Sequence, residues 1–194
     1  MNSPSLVYVL VEDQRQKQFI YRFLSVAGLN SHQMTIEVSP SGRGSAEGWV
    51  RENFPRQVGK CRARNARAST GMFVLIDADA KTVQERLDAL DQALVNAGQI
   101  PIDRKVDPIA RLIPKRNVET WIFFLSLEGI AVPLVDEVQD YKHNKKTEQW
   151  SALIPAAATT LYAWTKSSAK LPVNLIDSLR QGIDEIPYAL PARQ

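Results

Sequence analysis

Residues 6–11 read LVYVLV, an unbroken run of apolar and largely β-branched side chains that stops at Glu12 and Asp13. A strand that is buried on both faces of a parallel sheet has this pattern, because both alternating sets of side chains must face a core. Residues 14–27 follow with apolar side chains at helical spacing, and Gly28 marks the expected end of that helix. The segment therefore predicts a buried strand, a helix and the beginning of a parallel α/β sheet.

The same alternation of strand and helix patterns recurs along the next hundred residues or so. We expect three further strands, at residues 34–38 (MTIEV), 72–76 (MFVLI) and 109–113 (IARLI), and three further helices, at residues 49–58, 83–97 and 118–127. The first of these helices is expected to be interrupted near Pro55. Such alternation is typical of an α/β fold, so we predict a parallel-rich, Rossmann-like sheet that is flanked by helices and joined by right-handed crossovers.

The pattern changes in the last third of the chain. Residues 148–164 and 173–186 predict two helices, the first of them interrupted around Pro155, and nothing there indicates a second sheet. We therefore divide the chain into an α/β domain over residues 1–130 and a C-terminal helical appendage over residues 131–194.

The composition of the 194 residues is that of an ordinary folded protein, with 44% hydrophobic and 23% charged residues. The single cysteine, Cys61, excludes an intramolecular disulfide and favours a reducing, cytoplasmic setting. The chain opens without the pattern of a signal peptide, and its apolar stretches are far shorter than the roughly 18–20 residues that a membrane span needs. We therefore expect a cytoplasmic protein without a membrane partner.

Acidic residues follow the predicted strands at their carboxyl ends. Glu12 and Asp13 follow the first strand, Asp77 and Asp79 follow the third, and Glu119 comes shortly after the fourth. Because parallel strands end at the same edge of a sheet, we expect these carboxylates to converge there. Carboxylates at one point repel each other unless a cation lies between them, and oxygen ligands suit Mg²⁺ or Mn²⁺. The sequence therefore predicts a divalent-metal site that is held by Glu12, Asp77 and Asp79.

Each of these acids also has a purely structural alternative. Glu12 and Asp13 can be solvated residues that cap the following helix. Asp79 can be the N-terminal cap of the helix at residues 83–97, with Asp77 as a turn-forming residue before it. Glu119 can be a charge that the dipole of its own helix favours. These alternatives assign every acid a local role, whereas a metal site requires the acids to meet.

Basic residues are concentrated between residues 41 and 70. This segment holds seven basic and two acidic residues, which gives it a net charge of +5, compared with +3 for the whole chain. Arginine binds phosphate groups through two parallel donors, so the segment predicts a surface for nucleic acid; the alternative is a solvated helix and loop. The candidate nucleic-acid-binding residues are Arg51, Arg56, Lys60, Arg62, Arg64, Arg67 and, outside the segment, Arg116.

Two stretches of this sequence resemble the Toprim domain. Residues 7–12 (VYVLVE), a helix and residues 73–79 (FVLIDAD) resemble its pairing of a strand-end glutamate with a downstream Asp-x-Asp motif. The domain is shared by topoisomerases, primases, recombination proteins and nucleases of the overcoming-lysogenization-defect (OLD) type. Residues 112–122 (LIPKRNVETWI) are similar to a segment of small stand-alone Toprim-like bacterial proteins, which are often encoded beside an ATPase and are linked to anti-phage defence. The resemblance covers about residues 6–127.

The resemblance implies a metal-dependent nuclease that hydrolyses phosphodiester bonds of DNA or RNA as the effector subunit of an ATPase-associated anti-phage system. Asp77 and Asp79 would then hold Mg²⁺ or Mn²⁺, and Glu12 would hold the metal or act as a general acid or base. Glu119 would complete the acidic cluster.

The resemblance also implies basic residues and partners for this reaction. Lys115 or Arg116 would stabilise the negative charge that develops on the phosphorane. The expected partners are nucleic acid, an ATPase subunit of the ABC or AAA type and, in a homo-oligomer, further copies of the chain.

Two positions depart from the family pattern and leave alternatives open. Asp13 stands where the family commonly has glycine, and Gln16 stands where OLD-type members commonly have a second acid. One metal ligand is therefore missing unless Asp13 or Glu119 replaces it. One alternative is a non-catalytic or conditionally active subunit that docks on an ATPase partner. Another is a receiver-like signalling domain, whose acids would correspond to Glu12, Asp13 and Asp77, although the 65 residues from Glu12 to Asp77 would then include a large insertion.

Overall fold

The computed structural model describes residues 4–42, 44–127 and 135–190. Within these ranges no helix is both long and apolar enough to cross a lipid bilayer. The strands and helices follow one another in the order β1 (Leu6–Val11), α1 (Gln14–Val26), a 3₁₀ turn (Ser31–Gln33), β2 (Met34–Val38), α2 (Ala46–Asn65), β3 (Thr70–Leu75), α3 (Val83–Asn96), β4 (Ile109–Leu112), α4 (Val118–Ser126), α5 (Thr147–Trp164) and α6 (Asp177–Ala189).

The strands form one parallel sheet in the order β2-β1-β3-β4, which confirms the predicted parallel α/β fold. β1 and β3 lie at the centre, where Leu6 pairs with Thr70 and Val11 pairs with Leu75. After β2 the chain crosses back over β1 to form β3, so the winding direction reverses between β1 and β3. Open α/β sheets bind ligands in the crevice at such a reversal, outside the carboxyl ends of the strands.

Helices cover both faces of the sheet. On one face Val7, Val9 and Val11 pack with α1, α4, α5 and α6, and on the other face Leu10 packs with α2 and α3. Right-handed crossovers require α1 to lie opposite α2 and α3, because the chain moves in one direction from β1 to β2 and in the other direction from β2 to β4. β1 is therefore buried on both faces, as its apolar sequence predicts.

The helix that contains Pro55 is longer than predicted and has no interruption. α2 includes all of the helix predicted at residues 49–58 and continues through the proline, so the predicted break at Pro55 is wrong. Proline removes one backbone hydrogen bond from the helix. Val50, Phe54 and Val58 form the fully buried face of α2, and the packing of this face against the sheet outweighs the lost hydrogen bond.

The C-terminal helices differ from the prediction in a similar way. α5 is continuous through Pro155, so the predicted interruption there is wrong, and its buried face includes Ile154 and Ala158. α6 begins at Asp177, four residues later than the helix predicted at residues 173–186, and extends three residues beyond its predicted end. The pattern of apolar residues thus located both helices but not their ends.

Both C-terminal helices share the hydrophobic core of the sheet. α5 packs against α1 and α4, and α6 packs against β4 and β3. The indole N–H of Trp121 in α4 donates a buried hydrogen bond of 2.9 Å to Oγ of Ser178 in α6. The predicted domain boundary between residues 130 and 131 lies outside the described residues.

The close approach of α6 to the sheet gives a prediction about stability. A Cβ atom added to Gly71 in β3 would collide with the backbone carbonyl oxygen of Ala189 in α6. We expect Gly71→Ala to lower the free energy of unfolding by about 1–3 kcal/mol, because backbone atoms must shift to admit the methyl group. Urea denaturation measures the effect.

The matched control for this prediction is Gly59→Ala in α2. Its added Cβ would lie 3.7 Å from Nε2 of Gln99, an ordinary contact, and alanine favours a helix interior by about 0.5–1 kcal/mol over glycine. We therefore expect this variant to be as stable as the parent or more so. Equal stability of the Gly71→Ala variant and the parent would contradict the packing of α6 described above.

Candidate acidic site at the carboxyl edge of the sheet

Two of the predicted metal ligands meet at the reversal between β1 and β3. Glu12 directly follows β1, and Asp77 lies two residues beyond β3. The backbone N–H of Asp77 donates a hydrogen bond of 2.6 Å to Oε1 of Glu12. The structure therefore brings these two residues together, as the parallel topology predicts.

Gln16 connects the same two residues from the first turn of α1. Its fully buried side chain accepts a hydrogen bond at Oε1 from the N–H of Glu12 (2.9 Å) and donates one from Nε2 to Oδ1 of Asp77 (3.0 Å). Asp13 caps α1 by accepting a hydrogen bond of 2.9 Å from the N–H of Gln16, so the capping alternative is confirmed for Asp13. Gln16 is thus a neutral link between Glu12 and Asp77.

Asp79 lies on the exposed side of the loop that follows β3. Its φ angle of 56° is in the left-handed region, which residues other than glycine rarely adopt and which costs them roughly 1 kcal/mol or more. The cap of α3 is Thr82, whose hydroxyl accepts a hydrogen bond from the N–H of Glu85. The capping alternative for Asp79 is therefore wrong, and strain of this kind is commonest where a loop serves a site.

The loop that carries Asp79 is held by the loop after β4. The N–H of Ala78 donates a hydrogen bond of 2.8 Å to the carbonyl of Pro114. Nζ of Lys115 donates one of 2.7 Å to the carbonyl of Lys81. Lys115, predicted to stabilise charge on the substrate, thus binds the backbone of the acidic loop in this structure.

Asp77 experiences the combined field of the acidic side chains. Burial raises the pKa of Asp77 well above its usual value, and the charges of Glu12, Asp13, Glu119 and Asp79 raise it further, in that order of importance. The other four predicted acidic residues therefore all raise the pKa of this one buried carboxyl group.

The pKa of Glu12 is shifted towards neutrality. The net pKa of Glu12 is about 7. Burial is the largest cause of the rise, and the charges of Asp79 and Asp13 add to it, while the hydrogen bond from the N–H of Asp77 and the charge of Arg86 oppose it. A carboxyl group with a pKa near 7 exchanges its proton readily at neutral pH, which is the property of a general acid or base.

Arg86 is a buried basic residue that our sequence analysis did not single out. Its guanidinium donates a hydrogen bond to Glu47 in α2 and a long one of 3.4 Å to the carbonyl of Ala78. It therefore places a positive charge behind the acidic loop. Its spacing of four residues from Leu90, and of eight from Leu94, puts it on the apolar face of α3, and a charged residue at such a position is a signal that could have identified it.

A cavity of about 460 Å³ opens beside Glu12. Glu119, in the first turn of α4, lines the same cavity, and burial, followed by the charge of Asp13, raises the pKa of Glu119. Within the described residues, Arg15 and Lys142 are the basic residues that line it. The cavity is therefore lined by Glu12, Asp13 and Glu119 but not by Asp77 or Asp79, and its basic lining residues are ones that the sequence patterns did not indicate.

The side chains at this site suit a hard divalent cation by their chemistry. They offer carboxylate oxygens, and their mutual repulsion leaves a demand for positive charge that Arg86 meets only from one side. In the part of the chain that the structure describes, however, no three or more His, Cys, Asp and Glu side chains are already arranged as a metal site. Oε1 of Glu12 is occupied by the N–H of Asp77 instead.

Two carboxylates offset part of the charge of three predicted nucleic-acid-binding residues, Arg51, Arg56 and Lys60. In α2, Nε of Arg51 lies 3.3 Å from Oε1 of Glu47. Nη2 of Arg56 lies 2.6 Å, and Nζ of Lys60 3.6 Å, from carboxylate oxygens of Glu37 in β2. Such partly exposed pairs are weak, with values of about 0–1 kcal/mol, so phosphate groups can compete for these cations.

Arg62 has a structural role in addition to any role at the surface. Its guanidinium donates two hydrogen bonds, of 2.9 and 2.7 Å, to the carboxylate of Asp107 and two more to the carbonyls of Ile100 and Pro101. These bonds attach α2 to the segment before β4, which leaves few donors of Arg62 for a ligand.

The remaining predicted nucleic-acid-binding residues are less engaged. The side chains of Arg64 and Arg67 are exposed and make no hydrogen bond or ion pair with the described residues, while the backbone N–H of Arg67 donates to the carbonyl of Arg64. Nη2 of Arg116 lies 3.8 Å from Oδ2 of Asp140, beyond hydrogen-bond distance.

Comparison with known proteins returned no match. No protein-family model, no characterised protein and no solved structure is significantly similar to this chain.

Proposed function

We propose that this protein is a metal-dependent, Toprim-type nuclease that hydrolyses phosphodiester bonds of DNA or RNA. The observation that carries the proposal is the pair formed by Glu12 and Asp77, hydrogen-bonded through the N–H of Asp77 at the reversal between the central strands. Asp77 is buried there, and the negative charges of neighbouring carboxylates further disfavour its ionised form. A fold tolerates such repulsion where a bound cation offsets it in the working state.

Each acid has a role in this proposal. Glu12, Asp77 and Asp79 would hold Mg²⁺ or Mn²⁺, which when bound supplies a Lewis acid for the phosphodiester and an activated water. Glu12, with a pKa of about 7, can take up or release a proton at its carboxylate oxygens. Glu119 faces the cavity beside Glu12 and extends the acidic surface towards a substrate.

A conditionally active subunit that docks on an ATPase is the second candidate. Both polar atoms of the Gln16 side chain are engaged by Glu12 and Asp77, so this position supplies a neutral amide in place of a metal ligand. The carboxylate of Glu12 also accepts a hydrogen bond from the backbone N–H of Asp77. A partner that rearranges these contacts would activate the site. Co-purification with an ATPase would support this candidate, and full activity of the isolated protein would contradict it.

The effector role in an ATPase-associated anti-phage system belongs to the same proposal and is supported by the sequence resemblance. The receiver-like alternative makes a different prediction, because acetyl phosphate or beryllofluoride would then modify or bind Asp77. A nuclease subunit would respond to neither reagent.

A cleavage assay tests the proposed activity. Purified protein is incubated with single- and double-stranded DNA and RNA in the presence of Mg²⁺, Mn²⁺ or EDTA. We expect cleavage that needs the metal and that the double variant Asp77→Ala/Asp79→Ala has lost, because two of the three proposed ligands are gone. Asp88→Ala, which removes an exposed acid from α3, is the matched control and should cut like the parent. Equal cleavage by the double variant would exclude the acidic cluster as the catalyst.

A further inference from the structure

Among the described residues, the cavity beside Glu12 combines carboxylates with two cations from distant parts of the chain. Arg15 comes from the first turn of α1, and Lys142 comes from the segment before α5. The two residues are more than a hundred positions apart in the sequence, and α5, which follows the segment of Lys142, packs against α1.

Neither cation forms a hydrogen bond with the acidic side chain beside it. Nε of Arg15 lies 4.0 Å from Oε1 of Glu119, and Nζ of Lys142 lies 4.0 Å from Oδ2 of Asp13. Both distances are beyond the range of a hydrogen bond. Among the described residues, the Arg15 side chain donates one hydrogen bond, a long one of 3.3 Å to the carbonyl of Thr147, so most of its five N–H groups remain for a ligand.

A phosphate group that approaches the acidic site needs positive charge in this position. The carboxylates of Glu12, Asp13 and Glu119 repel an anion, and Arg15 and Lys142 lie directly beside two of them. Arginine and lysine together offer a planar two-pronged donor and a mobile point charge, which is a combination suited to phosphate.

We infer that Arg15 and Lys142 form the phosphate-binding site of the cavity and hold a phosphate of the substrate strand beside Glu12. The inference rests on the proposed nuclease function and specifies its substrate-binding residues. The volume of about 460 Å³ is that of a small-molecule pocket, so the cavity admits one nucleotide unit of a single strand. The arginines of α2 then act as an outer surface, and the segment before α5 is part of the active site.

Binding of single-stranded DNA tests this inference without requiring cleavage. A fluorescein-labelled oligonucleotide of about 12 nucleotides is titrated in EDTA at several salt concentrations, and anisotropy gives the affinity. The variants are Arg15→Gln, Lys142→Gln and their combination. The matched control is the double variant Arg22→Gln/Lys105→Gln, which removes the same charges from exposed residues outside the cavity lining.

We expect the affinity of the double cavity variant to fall at least about 10-fold more than that of the control, and its salt slope to decrease by about 1 for each cation removed. Arg15→Lys should recover part of the loss, because it restores the charge without the planar fork. Lys142 is half-exposed, so Lys142→Gln reports on binding even where Arg15→Gln unfolds the protein.

Two results would overturn the inference: equal affinities of the cavity variant and the control, or no binding by the parent. The cleavage and binding assays together distinguish a wrong phosphate-site inference from a wrong nuclease proposal. A parent that cuts with Mg²⁺ while the cavity variant binds like the control keeps the nuclease and excludes this phosphate site. A parent that does not cut in isolation, while the cavity variant alone loses affinity, excludes a nuclease that is active without a partner and keeps the binding site.

Discussion

An Asp77→Asn variant should be more stable than the parent and should cut nucleic acid about 10²–10³-fold more slowly or not at all. The amide is neutral, so it removes the carboxylate that burial and four neighbouring charges disfavour, and its oxygen can still accept the hydrogen bond from Gln16. We expect a gain of about 1–2 kcal/mol in the free energy of unfolding, since replacing a destabilised active-site group commonly gives this much.

Chemical denaturation at neutral pH and the cleavage assay measure the two effects on the same preparation. Asp88→Asn, at an exposed position of α3, is the matched control and should change neither quantity by much. A variant at Asp77 that is less stable than the parent, or that cuts at the rate of the parent, would show that Asp77 is not a strained functional carboxylate.

The stability of the parent should decrease as the pH rises from 4.5 towards 7. The pKa of Glu12 is raised from 4.5 to about 7, so between these values the folded protein binds a proton that the unfolded chain has released. Folding therefore takes up a proton, and the stabilisation is complete below pH 4.5 and is lost as the pH rises through about 7. Glu12 alone accounts for a change on the order of 3 kcal/mol, and the raised pKa values of Asp77 and Glu119 act in the same direction.

Groups with lowered pKa values limit the gain in stability at low pH. Burial alone would raise the pKa of Asp107, but its hydrogen bonds with Arg62 bring the pKa below the usual value. Asp107 therefore contributes stability above its ordinary pKa of 3.8, and the contribution is lost as the pH falls through its folded-state value. Stability should accordingly be greatest in mildly acidic solution.

Urea denaturation at a series of pH values across this range measures the dependence. Glu12→Gln should remove much of the slope between pH 4.5 and 7, because a neutral amide binds no proton in either state. Divalent metal is excluded from these solutions with EDTA, so that only protons are exchanged. A parent whose stability rises over this interval would contradict the burial of Glu12 and Asp77 among like charges.

The sequence was sufficient for the architecture and for the pair at its centre. The unbroken apolar runs that form β1 and β3 are buried on both faces and therefore indicate parallel strands. Glu12 and Asp77 follow these runs directly, and parallel strands must end at the same edge, so their meeting could be predicted from connectivity alone. The resemblance to the Toprim domain, and with it the nuclease, stays a prediction.

Helix continuity was not predictable from local sequence at the prolines. Pro55 and Pro155 each weaken a helix by one hydrogen bond, and a reading of local propensity places a break there. The buried faces of α2 and α5 outweigh that loss. Packing of this kind involves residues far away in the chain, which no local pattern reveals.

The amino-acid sequence by itself thus determined which strands are buried, that they run parallel, and that carboxylates collect at their ends, because these features follow from side-chain polarity and chain direction. Only the tertiary structure decided that Gln16 links the two central acids, that Arg86 lies buried behind their loop, and that Lys142 shares a cavity with Arg15. These contacts join α1, α3 and the segment before α5 across the fold. Their partners are fixed by how the helices pack on the sheet, and that packing is a sum of many distant contacts that spacing along the chain does not encode.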